Sequence, residues 1–137
     1  MCPKEGVDGV LDVEYDYDRV QRAYAMTEAR PENGMFAYRP FLPVEIDTLE
    51  PPLLVGATPL YDAPRVAAAA GVARVMLKDE GRNPTGSLKD RASAIAVMKA
   101  AEAGSRIITT ASAGNEAAAM AGMAASKGQH TVIVVAA

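Results

Sequence analysis

From Pro51 onward, helical and extended signals take turns along the chain, and that alternation restricts the fold more than any other property of the sequence. Pro64 to Ala70 predicts a helix, with Pro64 suited to a first turn where its missing N–H is not needed. A strand is predicted at Arg74 to Lys78, a helix at Arg91 to Ala103 ended by Gly104, and a strand at Arg106 to Thr110. A helix from Asn115 to Lys127 and a strand at Thr131 to Val135 complete the series. Strands alternating with helices imply βαβ units and a parallel sheet, so the expected class is α/β. The closing run Thr131-Val132-Ile133-Val134-Val135 is apolar and β-branched like an interior parallel strand, which is normally covered by helices on both faces. No sequence follows to cover it. The expectation is an incomplete α/β unit, the first part of a longer chain.

Ahead of this series, Leu11 to Tyr15 alternates as a short strand, Asp18 to Glu28 predicts a helix that stops before Pro31, and Arg30 to Gly34 reads as a turn. Residues 1–50 are expected to form an N-terminal arm with little chemistry of their own. A length of 137 residues allows one small core or part of a larger enzyme. Hydrophobic residues make up 50% of the chain but aromatic residues only 5%, so helices are expected to pack closely on alanine. A net charge of −3 argues against a nucleic-acid or anionic-membrane surface. The apolar stretches fall well short of the roughly 20 residues of a membrane span, and no apolar run follows the first charged residues as a signal peptide requires. A cytoplasmic location is expected. The single cysteine, Cys2, cannot form an internal disulfide and has Glu5 where a Cys-x-x-Cys partner would stand, so it reads as an unpaired thiol rather than a metal ligand. No metal is expected.

The chemistry concentrates in Pro84-Thr85-Gly86-Ser87-Leu88-Lys89-Asp90. Ser87 followed by Asp90 reads as a capping box and places Lys89 in the first turn of a helix. There the positive end of the helix dipole disfavours an ammonium, and a neutral amine is the form that attacks a carbonyl to make a Schiff base. The other reading is an ordinary solvated helix lysine. Gly81 and Gly86 have the spacing of a phosphate loop, but Ser87 stands where that motif requires lysine, so nucleotide binding is not expected. Farther on, Ser112-Ala113-Gly114-Asn115 lies between a strand and a helix. Its N–H groups can point outward as an anion site, or the segment can be a tight turn with Ser112 or Asn115 as N-cap.

The run from Met76 to Ser93, MLKDEGRNPTGSLKDRAS, resembles the lysine segment of the fold-type II pyridoxal phosphate enzymes, and among them most that of the threonine synthases. Gly56-Ala57-Thr58-Pro59-Leu60-Tyr61 upstream and Thr110-Ala111-Ser112-Ala113-Gly114-Asn115 downstream agree in order and spacing. The likeness extends over about residues 35 to 137 and includes Tyr38 to Val44. It implies that Lys89 carries the cofactor as a Schiff base and shuttles protons. It further implies that Ser112, Ala113, Gly114 and Asn115 grip the substrate carboxylate, and that Asn115 also meets the cofactor's 3′ oxygen. The reaction implied is a carbon–oxygen lyase conversion of O-phospho-L-homoserine and water to L-threonine and phosphate, in a homo-oligomer when the chain is full length. Residues 51–92 then begin a cofactor-binding domain and 93–137 a smaller βαβ domain. The family's glycine-rich phosphate loop and its residue at the pyridine nitrogen fall beyond these residues, so the fragment alone is expected to be inactive.

Some positions depart from the family pattern. Ala113 lacks a usual hydroxyl, and Leu88 replaces a phenylalanine while keeping an apolar wall. Ala57 replaces a glycine, harmlessly only if its φ is negative. Glu116 puts an acid where a small residue is usual; it is expected to complement the helix dipole, with its side chain free to turn from the pocket. Lys78, Asp79, Asn83 and Arg91 are read as strand-end, cap or surface-pair residues, and His130 as a solvated loop residue before the last strand. Cysteate synthases and threonine dehydratases share Lys89 and the 112–115 loop and remain alternatives. So does a non-catalytic module that associates through an exposed strand edge.

Overall fold

A computed structural model describes residues 4, 6, 9, 14–26, 30–45 and 47–136. Cys2 lies outside them, as does the expected early strand apart from Glu14 and Tyr15, which belong to no strand. Helix α1 spans Tyr17–Met26. It starts one residue before the expected position because Asp16 caps it, its Oδ1 accepting from the Arg19 N–H at 2.9 Å. Residues 27–29 lie outside the description. The segment Pro31–Phe41 forms 3-10 turns broken at Gly34 (φ 62) and Tyr38, where only a turn at 30–34 was expected. Gly34 is needed there: a Cβ would sit 2.1 Å from the Val55 carbonyl oxygen, and the next amide, Met35, donates to that oxygen at 2.8 Å. Tyr24 of α1 stacks on Tyr38 and meets Phe41 edge-on, which docks the helix on this segment.

Strand β1 (Leu60–Asp62), helix α2 (Pro64–Ala70) and strand β2 (Met76–Lys78) follow. The expectation of parallel pairing throughout is corrected here. β1 and β2 are antiparallel, with Tyr61 opposite Leu77, and make a two-stranded sheet separate from the later one. The cause is local. α2 stops at Gly71 in the left-handed conformation (φ 67), and the Ala63 N–H donates to the Val75 carbonyl at 2.9 Å. That bond closes the connection beside the end of β1, so β2 starts where β1 stops and runs back along it.

The second half keeps the expected order: α3 (Lys89–Glu102), β3 (Ile107–Ala111), α4 (Asn115–Ser126) and β4 (His130–Val134). β3 and β4 are parallel, Ile107 opposite His130 through Ala111 opposite Val134, with α4 as the crossover. The buried residues of α3 are Asp90, Ser93, Ala94, Val97 and Met98, the spacing of one helical face. α4, packed against α3, buries Ala117, Ala119, Met123 and Ala124. Small side chains let the two helices approach closely, as the alanine content predicts. The core joins Ala94, Val97, Met98, Met123 and Ala124 to Phe36 and Val55 from the N-terminal half. On β3, Ile108 and Thr110 are half-buried while Ile107, Thr109 and Ala111 are exposed, and Val132 and Val134 of β4 are exposed as well. One face of the sheet is thus open. Among the described residues no helix is long and apolar enough to cross a membrane.

Candidate active site

The turn that delivers Lys89 is shaped by side chains. Asp79 accepts from the Gly81 N–H at 3.2 Å and starts the short 3-10 turn Glu80–Arg82, and the Gly86 N–H then donates to the Asn83 carbonyl at 2.8 Å. The Ser87 hydroxyl accepts from the Lys89 N–H at 3.1 Å, so the expected serine cap forms. The reciprocal half of the capping box does not. Asp90 is fully buried, and its carboxylate accepts instead from the Thr85 N–H at 2.7 Å and from the Thr85 hydroxyl. Leu88 is already helical (φ −61, ψ −18), which sets Asp90 facing back toward Thr85 rather than toward Ser87. Thr85 in turn lies against α4: a Cβ on Gly122 would come within 2.8 Å of the threonine methyl. Lys89 therefore stands on a turn fixed both to its own helix and to the neighbouring one.

The Lys89 side chain is half-exposed, and its Nζ lies 3.9 Å from Oε2 of Glu116. The Thr110 hydroxyl donates to the other oxygen of that carboxylate at 3.4 Å. Glu116 faces the lysine rather than turning from it, because the packing of α3 on α4 brings the first turns of both helices to the same end. Leu88, expected as an apolar wall, is 59% exposed. In the 112–115 loop the Ser112 N–H donates to the Val134 carbonyl at 3.1 Å, and the Ser112 hydroxyl accepts from the Gly114 N–H at 3.2 Å. Those two amides are therefore engaged within the protein. Gly114 occupies the N-cap position without a side-chain bond, so neither Ser112 nor Asn115 caps α4. The amides of Ala113, Asn115 and Glu116 meet no acceptor among the described residues, and the exposed Asn115 side chain has no partner there either.

A second cluster braces the site from below, and sequence reasoning missed its centre. Glu80 accepts from Arg91 Nε and Nη2 at 2.7 and 2.8 Å, from the Thr58 hydroxyl at 2.7 Å and from the Asn83 side-chain amide at 2.9 Å. The Arg91 hydrogen bonds, more than any other contact, hold its carboxyl down at about 2. Asn83 is buried and accepts from the Gly56 N–H at 2.9 Å, while the Lys78 ammonium donates to the Thr58 carbonyl. Residues 56–58 are thereby clipped to the turn before Lys89. Opposite charge on Glu80 and Arg91 was the one available signal, and a separation of 11 residues hides it. Lys78 and Asp79 have the strand-end and cap roles expected of them. Arg91 is in a half-buried bidentate pair rather than a surface one, and His130 opens β4 instead of preceding it.

Three segments thus converge: 56–58, the turn into Lys89, and the 110–116 strand-to-helix junction. Comparison with known proteins matches residues 52–137 to the family described as pyridoxal-phosphate dependent enzyme. The chain belongs to that family. Threonine synthases are among the curated relatives of this pyridoxal-phosphate dependent chain. That of Methanosarcina acetivorans is 38% identical over 93% of this chain and 31% of the relative, and that of Methanocaldococcus jannaschii 33% identical over 93% and 32%. The Synechocystis protein is 44% identical over 72% of this chain and 26% of the relative. The chain spans about a third or less of the length of these relatives. The family's cofactor carries an aldehyde, a phenolic oxygen and a phosphate, and the donor set here suits the first two. Lys89 offers an amine reachable from solvent, and Asn115 offers an exposed side-chain amide next to the residue that faces it.

Proposed function

We propose that these residues form the cofactor-anchoring part of a threonine synthase, acting on O-phospho-L-homoserine and water. The observation that carries this reading is the meeting of Lys89 with the first turn of α4, beside the exposed side chain of Asn115. When bound, the pyridoxal phosphate ring supplies an electron sink for carbon–hydrogen and carbon–oxygen bond breaking. Lys89 would provide the covalent anchor, and its amine would move protons between adjacent substrate carbons. Asn115 would donate to the cofactor's 3′ oxygen. The open amides of Ala113 and Asn115 receive the substrate carboxylate, and the Ser112 hydroxyl shapes the loop that presents them. The brace centred on Glu80 holds the lysine turn in place.

The test is made in the full-length protein. Lys89→Ala should abolish the visible absorption of bound pyridoxal phosphate and the release of phosphate from O-phospho-L-homoserine, and borohydride reduction should tag the peptide containing Lys89. A tag on Lys78 or Lys99 would overturn the assignment. Cofactor on Lys89 without phosphate release would leave the anchor standing and reject the substrate.

A further inference from the structure

The contact between Lys89 and Glu116 is the least expected feature of the site, and it crosses from one helix to another. Lys89 is the first residue of α3, Glu116 the second of α4, and Oε2 of the acid lies 3.9 Å from the amine. Thr110 on β3 tethers the other carboxylate oxygen at 3.4 Å. The remaining charges nearby are committed elsewhere: Asp90 is turned inward to Thr85, and Arg91 is paired with Glu80. Among the described residues, Glu116 is therefore the charged group that faces Lys89.

We propose that Glu116 is a positioning residue for Lys89, holding its side chain against the first turn of α4 in the cofactor-free protein and releasing it when the amine is taken up by a ligand. This rests on the reading of Lys89 as the reactive amine. The geometry gives the hold two properties. Both side chains are about half exposed, at 47% and 50%, so the restraint is soft and salt can screen it. The Thr110 tether means that the carboxylate is already in place rather than drawn in by the lysine.

The experiment uses cofactor-stripped full-length protein and competitive acetylation by acetic anhydride, read lysine by lysine by mass spectrometry. Lys78 and Lys99 in the same molecules serve as internal standards. At about 0.01 M salt, Glu116→Gln should raise the relative rate at Lys89 by about two- to fivefold, the range set by an exposed ion pair. At about 1 M salt, where the screening length falls to roughly 3 Å, wild type and variant should converge. Thr110→Val keeps the charge but removes the tether, and should give an intermediate rate. Equal rates at Lys89 in wild type and Glu116→Gln at low salt would overturn the proposal. If the Glu116 variant is misfolded, shown by a rise at all lysines, Thr110→Val decides, and an unchanged Lys89 ratio there overturns it. The reagent needs no cofactor, so this outcome is separate from the borohydride test of Lys89 as the anchor.

Discussion

Ala57 adopts a backbone conformation that its own side chain opposes. Its φ is 51, in the left-handed region, so the condition under which alanine would be harmless is not met. Two neighbours impose it: Gly56 is held by Asn83 on one side, and Thr58 is held by Glu80 and Lys78 on the other. Restoring glycine by Ala57→Gly should stabilise the fold by about 0.5–1 kcal/mol, the left-handed penalty less the greater chain entropy of glycine. Urea unfolding checks this, and a midpoint that stays level or falls would mean that the methyl group has a packing role. The sequence made the position visible but not its sign, since φ here is dictated by partners more than 20 residues away. Glu116 shows the same limit. Its place in a first turn was legible, but which way a first-turn side chain faces depends on how α4 sits against α3. Lys89 and its serine cap needed only local rules, and those were legible.

Among elements, the brace around Glu80 and the contact of α3 with α4 make separable predictions. The Glu80 carboxyl is held near 2 against an ordinary 4.5, mainly by Arg91. A folded value below the unfolded one means stability that is complete above about pH 4.5 and lost as pH falls toward 2. Glu102 acts in the same window. It is also held at about 2, by Lys99 first and then by the Thr48 hydroxyl and Glu45 N–H, and it ties the 45–48 loop to α3. Glu80→Gln should flatten part of the acid limb of a stability-against-pH curve and cost on the order of 1–2 kcal/mol at neutral pH, discounted for partial exposure. An acid limb unchanged in that variant would place the proton-linked stability elsewhere. For the helix pair, Gly122→Ala should gain helix propensity yet lose about 1 kcal/mol net, because the new methyl meets the Thr85 methyl at 2.8 Å. Thr85→Ser in that background removes the obstructing methyl and should restore the loss, which a double-mutant cycle by thermal unfolding would show. Additive single effects would rule out the contact as the cause.

At the scale of the whole chain, sequence periodicity placed α2, α3, β3, α4 and β4 to within about two residues, since each is a self-contained pattern of face or alternation. It could not place β1, a three-residue strand with no exposed or buried rhythm, nor foresee that β2 would run back along it. The antiparallel pairing is flanked at both ends by backbone bonds, from Ala63 N–H to the Val75 carbonyl and from Asp79 N–H to the Pro59 carbonyl, which no local pattern announces. The core was legible as alanine-rich helix contact. Its reach to Phe36 and Val55 was not, because the 3-10 turns that carry Phe36 lack a helical signature.

The parallel pair β3–β4 has a consequence for isotope exchange. In a parallel strand the N–H and C=O of one residue point the same way and those of the next point opposite. The His130 N–H donates to the Arg106 carbonyl and the Ser112 N–H to the Val134 carbonyl, so by alternation the amides of Ile108, Thr110, Val132 and Val134 are turned inward between the strands. Those of Ile107, Thr109, Ala111, Thr131 and Ile133 are turned away from the other strand. Deuterium uptake should therefore run in steps along each strand, slow at one residue and fast at the next. Any partner strand that adds to the β3 edge would slow Ile107, Thr109 and Ala111 alone, and one that adds to the β4 edge would slow Thr131 and Ile133 alone, so the pattern of protons lost names the side on which the sheet grows.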